Sequence, residues 1–346
     1  MANKTKTLLV IRLSAMGDVA MTLPVIRALC MQYPFLKITI LTRPFFKPFF
    51  RDLPNVTVCH ANLKTEHKGF LGLFKLSRVL KKQGVDAVAD LHGVLRTHVL
   101  KLFFLGKPFV QINKGRKEKK ALVEGKHFKA LKNTHTRYAD VFARLGYPVD
   151  LTKPIFPDKV VLGNGILKYI GDIKTLKIVG IAPFAAHEGK MYSLNLMKEV
   201  IDVLSKKHTI LLFGGGEKEI TILKSLEQDN VISLAGQLSL NQELDVMSNL
   251  DLMLSMDSGN AHMAAMLGVK VVTIWGVTHP YAGFSPFNQP LDYTLTANRA
   301  QFPKIPTSIY GNKFLEGYQH AAASIPPSAI VNKIETILNR NKKSIV

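Results

Sequence analysis

The stretch DLMLSMDSGNAHMAAMLGVKVVTIW, Asp251–Trp275, carries the pattern from which we predict the fold. Its apolar start predicts a strand over Asp251–Met256, and its β-branched end, Val269–Trp275, predicts a buried parallel strand. Between them, Asn260–Leu267 is rich in Ala and Met and predicts a helix of about two turns. Gly268 follows, where a helix-terminating glycine is expected.

The corner between the first strand and the helix, Asp257-Ser258-Gly259, is the first candidate site. A helix N-terminus offers unpaired backbone N–H groups and the positive end of the helix dipole, and a glycine lets an anion approach the backbone. We therefore predict a phosphate-binding corner here. The alternative is an ordinary helix cap, because these residue types also favour that position. His262, in the first turn, fits either a role near the phosphate or simple helix packing.

The alternation of strands and helices extends outward from this stretch in both directions. Lys177–Ala182 and Thr209–Phe213 predict strands in the second half, and Thr7–Leu13 and Lys37–Thr42 predict strands in the first half. Few hairpin signals occur between them. The pattern therefore predicts an α/β protein with a doubly wound parallel sheet in each half.

The chain is too long for one ordinary core, since it has 346 residues. Leu151–Thr175 contains several Pro and Gly residues and is typical of a domain junction. We predict an N-terminal domain at 1–155 and a C-terminal domain at 156–325. A C-terminal helix at 326–346 could then pack back on the N-terminal domain.

The composition limits the possible partners. The formal net charge is +21, which favours a polyanionic partner such as nucleic acid, an anionic membrane surface or a phosphorylated substrate. The 2 cysteines, Cys30 and Cys59, form no CxxC motif, so a disulfide scaffold or cysteine zinc site is not expected and a reducing cytosol fits. The apolar run Leu8–Ile11 is too short for a signal peptide. We expect a soluble or peripheral protein.

Three basic segments are candidates for surface contacts. Arg43–Arg51 and His67–Gln83 mix phenylalanines with Lys and Arg, which is typical of a membrane-facing or acceptor-facing surface. The alternative is a loop and an amphipathic helix that cover the core. Lys114–Lys120 is a charge run, which we interpret as a solvated loop, with phosphate contact as the alternative.

Two charged residues follow predicted strands and are candidates for chemistry. Asp18, in S-A-M-G-D-V, could act as a general base or simply as the N-cap of a helix that starts at Val19. Lys190, in a polar loop, could bind phosphate or be an ordinary exposed lysine. Gly214–Gly216 is a glycine-rich strand end, but it matches neither the dinucleotide-binding fingerprint nor the P-loop. No His, Asp or Glu cluster in the sequence has metal-ligand spacing.

Several motifs occur in a family-specific order. They are I-R-L-S-A-M-G-D-V at 11–19, T-L-P at 22–24, D-L-H-G at 90–93, G-G-G-E at 214–217, S-M-D-S-G-N-A-H-M-A-A-M-L-G-V at 255–269 and I-W-G-V-T-H-P at 274–280. In this combination the chain resembles the ADP-heptose:lipopolysaccharide heptosyltransferases, glycosyltransferase family 9. The resemblance covers nearly the whole chain.

The resemblance implies a GT-B fold, with two Rossmann-like domains facing across a cleft, and no essential metal or cofactor. It implies an inverting glycosyltransferase that moves a heptose or a related sugar from an ADP-sugar to a lipopolysaccharide core or lipid A-type acceptor. The family's catalytic aspartate falls on Asp18. Its diphosphate-binding residues fall on Lys190, Asp257, Ser258, Gly259 and His262.

Further positions follow from the same resemblance. Those expected near the nucleoside are Gly215, Glu217 and Leu238, and those expected on the acceptor side are Ser14, Gly17, His92 and Arg96. Two departures stand out, because the family's K-x-W-P is K-M-Y-S at 190–193 and its T-D-P is T-H-P at 278–280. The second departure concerns the identity of the donor sugar.

These observations together predict a cytoplasmic enzyme that is peripheral on the inner face of the inner membrane. Its expected partners are an ADP-sugar, a lipopolysaccharide-type acceptor and an anionic membrane surface, and not nucleic acid. Two alternatives stay open at this point. One is a non-catalytic protein that binds nucleotide-sugars, and the other, suggested by charge alone, is a nucleic-acid-binding protein.

Overall fold

The computed structural model describes residues 6–171 and 176–340. The described chain forms two compact units. The first unit extends to Gly115 and resumes over Lys132–Phe156, and the second comprises Arg116–Leu131 and the chain from Pro157 onward. The segment Arg116–Leu131 thus differs from the predicted N-terminal domain, since it packs with the second unit, where Leu131 N donates to Tyr281 O at 2.9 Å.

The first unit contains a sheet of five parallel strands in the order β3-β2-β1-β4-β5. Apolar runs build it, since the central strand is buried at four of its five positions. The strands are β1 (Thr7–Ile11), β2 (Lys37–Thr42), β3 (Val56–His60), β4 (Ala87–Asp90) and β5 (Phe109–Gln111).

The second unit contains a sheet of six parallel strands in the order β11-β10-β9-β6-β7-β8. Strands β7, β9 and β10 are buried along their whole length, as expected for parallel strands covered on both faces. The strands are β6 (Lys177–Ala182), β7 (His208–Leu212), β8 (Val231–Ser233), β9 (Leu252–Met256), β10 (Val271–Trp275) and β11 (Thr294–Thr296).

Both sheets share one winding pattern. In each, the first strand of the unit lies beside the second strand on one side and the fourth on the other, so β1 separates β2 from β4 and β6 separates β7 from β9. The chain reverses its direction of winding there, and ligands of open α/β sheets bind at the carboxyl ends of such strands. The doubly wound prediction is confirmed, and it directs attention to the loops after β1, β4, β6 and β9.

The helices connect the strands and cover the sheets. The helix predicted to start at Val19 is instead two helices, with a turn at Met21–Thr22 before the proline-containing second helix. The helices are α1 (Met16–Ala20), α2 (Leu23–Gln32), α3 (Gly69–Lys82), α4 (Leu95–Phe103), α5 (Arg116–Val123), α6 (Thr134–Arg144), α7 (Asn164–Ile170), α8 (Leu194–Leu204), α9 (Glu217–Lys224), α10 (Leu240–Ser248), α11 (Gly259–Met266) and α12 (Pro327–Asn339).

The last helix, α12, belongs to the second unit. Its apolar side, with Ile330, Ile334 and Ile337, joins the core around β6 and β7. The pair of His208 Nε2 and Glu335 Oε1, 3.0 Å apart, ties the same helix to β7. The apolar residues of this helix are thus buried in the second core, and its predicted packing on the N-terminal domain stays a prediction. Residues 341–346 of the predicted segment lie outside the described residues.

Two of the basic segments are also built differently from the prediction. In Arg43–Arg51, a 3₁₀ turn over Pro44–Phe50 buries three of its four phenylalanines and leaves Phe45 exposed, so the core-covering alternative holds for most of it. The predicted solvated loop at Lys114–Lys120 largely forms α5, and it buries Lys119, whose Nζ lies 3.9 Å from the ring centre of Phe284. Among the described residues, no helix is long and apolar enough to cross a membrane.

Candidate functional site

In the first unit, an ion pair lies in the chain that follows β1. Arg12 Nη2 is 2.7 Å from Asp18 Oδ2. Asp18 is the third residue of α1, so it is not the N-cap of a helix starting at Val19, although its carboxylate does accept from Ala15 N at 3.3 Å. The short helix therefore fixes the aspartate backbone, and the arginine holds one carboxylate oxygen.

Buried groups hold this pair in place. Arg12 Nη1 donates to Leu91 O at the end of β4, at 2.7 Å, so the pair bridges the two strands that flank the switch point. Tyr138, fully buried on α6, donates from its hydroxyl to Asp18 O at 3.3 Å. Burial raises the pKa of the Tyr138 hydroxyl, so it stays a donor at any physiological pH.

The loop after β4 is organised by a second, fully buried aspartate. Asp90 Oδ1 accepts from the backbone N–H groups of His92 and Gly93 at 2.9 Å each, and Oδ2 accepts from Gln111 Nε2 at 2.8 Å. Burial, together with the nearby charges of Arg12 and Lys114, lowers the pKa of His92 to about 4. His92 is therefore a neutral imidazole beside the Arg12–Asp18 pair.

The four residues predicted on the acceptor side differ in burial and in their proximity to Asp18. Ser14 and Gly17 are half-buried in the chain between β1 and the end of α1, next to Asp18. His92 is buried, and its electrostatic coupling to Arg12 and Asp18 brings it into the same neighbourhood. Arg96 is exposed on α4 and has no described contact with this group. Their acceptor role stays a prediction.

In the second unit, α11 starts directly after β9, as the sequence predicts. Ser258 occupies the N-cap position, yet its hydroxyl pairs with Ser255 Oγ at 3.0 Å rather than with an N–H of α11. The first amides of α11, from Gly259 onward, are therefore not capped by that side chain, and they remain positioned for an anion. His262 is buried one turn into α11, which fits both readings of its role.

A lysine and an aspartate meet at the same helix start. Lys190 Nζ lies 2.8 Å from Asp257 Oδ2 and donates to Asp257 O at 3.2 Å. The hydroxyl of Thr278, after β10, donates to the same Oδ2 at 2.9 Å. Loops after β6, β9 and β10 thus converge, and they bring one cation to the N-terminus of α11.

These contacts indicate different roles for the predicted diphosphate-binding residues. A carboxylate repels a diphosphate, and Asp257 already binds a lysine and a hydroxyl. We therefore interpret Asp257 as the residue that positions Lys190, and Lys190 with the α11 amides as the phosphate-binding groups. Direct contact of Asp257 with the diphosphate, which the family resemblance implied, stays a prediction.

The T-H-P departure lies beside this cluster. His279 Nδ1 accepts from Tyr281 N at 3.2 Å, and the imidazole packs edge-on against Phe128 and Tyr281, with ring centres 4.9 and 4.5 Å away. Burial, together with the charge of Arg299, lowers the pKa of His279 to about 4. A neutral imidazole whose Nδ1 accepts carries its proton on Nε2, so this position offers a donor where an aspartate would offer acceptors.

The predicted nucleoside residues follow β7 and β8 at the same edge of the second sheet, with Gly215 and Leu238 in loops and Glu217 at the start of α9. Gly215 and Glu217 are exposed, and the Gly215 amide donates to Glu219 Oε2 at 2.8 Å. Leu238 is half-buried. No described contact joins them to Lys190, so their role stays a prediction.

Three supporting residues were missed by sequence reasoning. Arg12 and Thr278 lie inside the recognised motifs, at 11–19 and 274–280, but only the structure shows that they bind Asp18 and Asp257. Tyr138 lies far from any motif and gives no signal in the sequence. Within the described ranges, no group of three or more His, Cys, Asp or Glu residues could hold a metal ion.

Comparisons with known proteins identify the family of the chain. The model of glycosyltransferase family 9 (heptosyltransferase) matches residues 73–314. The lipopolysaccharide core heptosyltransferase OpsX of Haemophilus influenzae is 24% identical over 291 residues, which is 82% of each chain.

Solved structures show the same fold. A glycosyltransferase family 9 protein from Veillonella parvula matches with a TM-score of 0.77 and 18% identity over 98% of both chains. The E. coli heptosyltransferase WaaC with ADP matches with a TM-score of 0.68 and 19% identity, over 96% of this chain and 99% of that one. The GT-B fold of two Rossmann-like, doubly wound domains is thereby confirmed. With a family match that spans more than half of its length, the chain belongs to glycosyltransferase family 9, the heptosyltransferases, and is a glycosyltransferase.

Proposed function

We propose that this glycosyltransferase transfers a heptose, or a related sugar, from an ADP-sugar to a lipopolysaccharide core or lipid A-type acceptor. The observation that carries the proposal is the Lys190–Asp257–Thr278 cluster at the N-terminus of α11. Two comparisons support it, because one relative is named a lipopolysaccharide core heptosyltransferase and one structural neighbour was solved with ADP.

The donor half of the reaction is assigned to the second unit. When the bond between the sugar and the diphosphate breaks, negative charge grows on the leaving phosphate. Lys190 and the first N–H groups of α11 would stabilise that charge. The lysine supplies a positive charge, and the N-terminus of α11 beside it supplies the positive end of the helix dipole. The lysine can supply this positive charge without a metal ion.

The acceptor half is assigned to Asp18. A sugar hydroxyl is a poor nucleophile until its proton is being removed, and a carboxylate within hydrogen-bond reach can remove it. Arg12 occupies Oδ2 of Asp18, so Oδ1 is the oxygen we assign as the base. Attack by the activated hydroxyl on the face opposite the departing diphosphate inverts the anomeric carbon.

We further propose that the enzyme works at the cytoplasmic face of the inner membrane and binds anionic lipid through the first unit. One surface supports this, here called the α3–α4 patch. Its exposed apolar side chains are Phe70, Leu71 and Phe74 on α3 and Leu102 and Leu105 at the end of α4.

Phe103 connects the two helices of this patch, since its ring centre lies 5.2 Å from that of Phe70 and 5.4 Å from that of Phe74. The lysines around the patch are exposed and include Lys68, Lys75, Lys101 and Lys107. Apolar rings within a basic border match a bilayer surface with anionic head groups. The patch replaces the broader surface expected from Arg43–Arg51, whose phenylalanines are mostly buried.

A turnover assay tests the catalytic proposal. The protein is incubated with ADP-heptose and a heptose-deficient lipopolysaccharide acceptor, and ADP release and the mass of the acceptor are measured. We expect a gain of one heptose per acceptor that depends on both substrates. Binding of ADP-heptose without transfer to any core acceptor would instead identify a non-catalytic nucleotide-sugar-binding protein.

A further inference from the structure

The stem of Lys190 lies against a turn that no motif marks. A Cβ built on Gly311 would lie 2.5 Å from Lys190 Cγ, 3.1 Å from Cδ and 3.0 Å from Cε. No real Cβ approaches carbon atoms so closely, so the lysine stem passes over Gly311 only because that residue has no side chain. Gly311 has φ +77, a conformation that also favours glycine.

The turn that carries Gly311 is fixed by one buried hydroxyl. Ser308 Oγ accepts from Gly311 N at 3.0 Å and from Tyr310 N at 3.2 Å, and it donates to Asn312 Oδ1 at 3.0 Å. Just before it, Thr307 N donates to Val277 O at 3.0 Å. The turn is therefore attached to the chain that leaves β10, next to Thr278.

The same turn touches the backbone that carries Lys190. A Cβ on Gly189 would lie 3.0 Å from Gly311 O and 2.6 Å from Val277 Cγ2. Val277 N donates to Gly189 O at 2.8 Å. The loops after β6 and β10 and the Ser308–Gly311 turn thus form one close-packed junction around the lysine.

We propose that the Ser308–Gly311 turn is a positioning element of the donor site, acting through Lys190. The turn fixes the aliphatic stem, and Asp257 fixes the charged end at 2.8 Å. A lysine loses much side-chain entropy when a ligand immobilises it, and a stem that is already held loses less. The turn therefore strengthens binding of a nucleoside diphosphate without touching it. This inference rests on the proposed donor role of Lys190.

Gly311→Ala tests the inference, and Gly317→Ala is its matched control. Both glycines have φ +77, but a Cβ on Gly317 would meet nothing within 4 Å. The two variants therefore share the backbone strain, and only the first displaces Lys190. By titration calorimetry with ADP, we expect Gly311→Ala to weaken binding about tenfold, within the range of coupling between contacting residues, and Gly317→Ala by less than about twofold.

A double-mutant cycle with Lys190→Ala separates a role through the lysine from a general effect on the fold. In the Lys190→Ala background the stem is absent, so Gly311→Ala should change the ADP affinity by less than about twofold. An equal loss in both backgrounds, or no loss in the wild-type background, would overturn the inference. If Lys190→Ala alone leaves ADP affinity unchanged, the donor role of Lys190 fails and the inference with it.

If the melting curve of Gly311→Ala shows that this variant does not fold, the double-mutant cycle is repeated with Ser308→Ala in its place. This change removes the hydroxyl that accepts from Tyr310 N and Gly311 N, and it introduces no strain at a left-handed residue. We expect a smaller loss of ADP affinity, again confined to the background that retains Lys190. A loss that persists without the lysine counts against the proposal.

Discussion

Each unit places one ion pair at the carboxyl ends of its central strands, but the two pairs expose opposite members. In the first unit the arginine is buried, with 8% of its side chain exposed, and the carboxylate of Asp18 is 32% exposed. In the second unit the carboxylate of Asp257 is 7% exposed and Lys190 is 15% exposed. The more accessible member is an anion in one unit and a cation in the other.

This difference separates two chemistries that the same topology could serve. An accessible carboxylate held by a buried cation can take a proton from a hydroxyl, and it would repel a diphosphate. An accessible ammonium held by a buried carboxylate attracts a diphosphate and cannot act as a base while charged. The comparison therefore supports the proposal that the acceptor binds the first unit and the donor the second, and separate variants can test each half of that proposal.

The largest effect is expected for Asp18→Asn, which removes basicity and keeps the shape. Turnover should fall by roughly 10²–10⁴-fold, because a general base contributes about that much. The donor affinity should stay within about twofold, since the donor groups lie in the second unit. Initial rates and ADP titration measure the two quantities on one protein preparation.

Asp52→Asn is the matched control for that variant. Asp52 also pairs with an arginine in the first unit, since Arg27 Nη2 lies 2.6 Å from its Oδ2, and 39% of its side chain is exposed. It lies on no switch-point loop, so we expect near-normal turnover. A near-normal rate for Asp18→Asn as well would show that this pair only caps α1.

The second largest effect is expected for Lys190→Ala, which removes the accessible cation of the second pair. The loss of one charge-assisted contact should weaken ADP binding by about 1.5–3 kcal/mol. Lys198→Ala is the control, because Lys198 pairs with Asp202 at 2.7 Å on the exposed side of α8. Equal ADP affinities for the two variants would remove Lys190 from the donor site.

The comparison also shows what the sequence could and could not reveal. β9 and α11 were predictable because an apolar run, three turn-forming residues and an Ala-rich segment follow one another within Asp251–Trp275. The pairing of Lys190 with Asp257 was not, since the two residues are 67 positions apart and only side-chain packing brings them together. The roles of anion and cation depend on burial, which the pattern of residue types does not contain.

Local composition did not decide how two basic segments pack. Phe46, Phe49 and Phe50 share their spacing and basic neighbours with a membrane-facing surface, yet they are buried. Lys119 belongs to a charge run that is typical of a solvated loop, yet it packs over Phe284. In each case tertiary contacts decided a choice that local composition left open.

A smaller effect is expected at the membrane, and it sharpens the assignment of the acceptor to the first unit. Replacing Phe70 and Leu71 by Ser in one variant should weaken binding to anionic vesicles by about tenfold, because apolar area and electrostatic attraction add at a bilayer surface. Cosedimentation with vesicles that contain about a third anionic lipid, at two salt concentrations, measures it.

Phe35→Ser is the control for the vesicle experiment. Phe35 is 87% exposed in the same unit, outside the α3–α4 patch. Loss of binding in this variant too would indicate non-specific adsorption of exposed phenylalanines. Equal binding of the wild-type protein to neutral and anionic vesicles would contradict the lipid proposal itself.

The smallest effect concerns the two neutral histidines beside the ion pairs, His92 and His279, whose pKa values burial lowers to about 4. An unfolded histidine has a pKa of about 6.5, so below that pH the unfolded chain binds more protons than the folded one. The stability due to each neutral histidine is therefore complete above pH of about 6.5 and is lost as the pH falls toward about 4. We expect the free energy of unfolding of each of the two structural units to fall by roughly 1–2 kcal/mol, after allowance for solvent screening.

Trp275 makes it possible to follow the second unit alone, since it is the sole tryptophan of the sequence and is buried in β10, close to His279. His279→Asn keeps an acceptor for Tyr281 N and does not titrate in this range. Urea midpoints from Trp275 fluorescence should therefore fall less between pH 7.5 and 5 in His279→Asn than in the wild-type protein. His92→Asn should leave that difference unchanged, because His92 belongs to the other unit. If both variants reduce the pH dependence of the Trp275 urea midpoint equally, the two units unfold together. That result would contradict the assignment of the acid sensitivity of the second unit to His279.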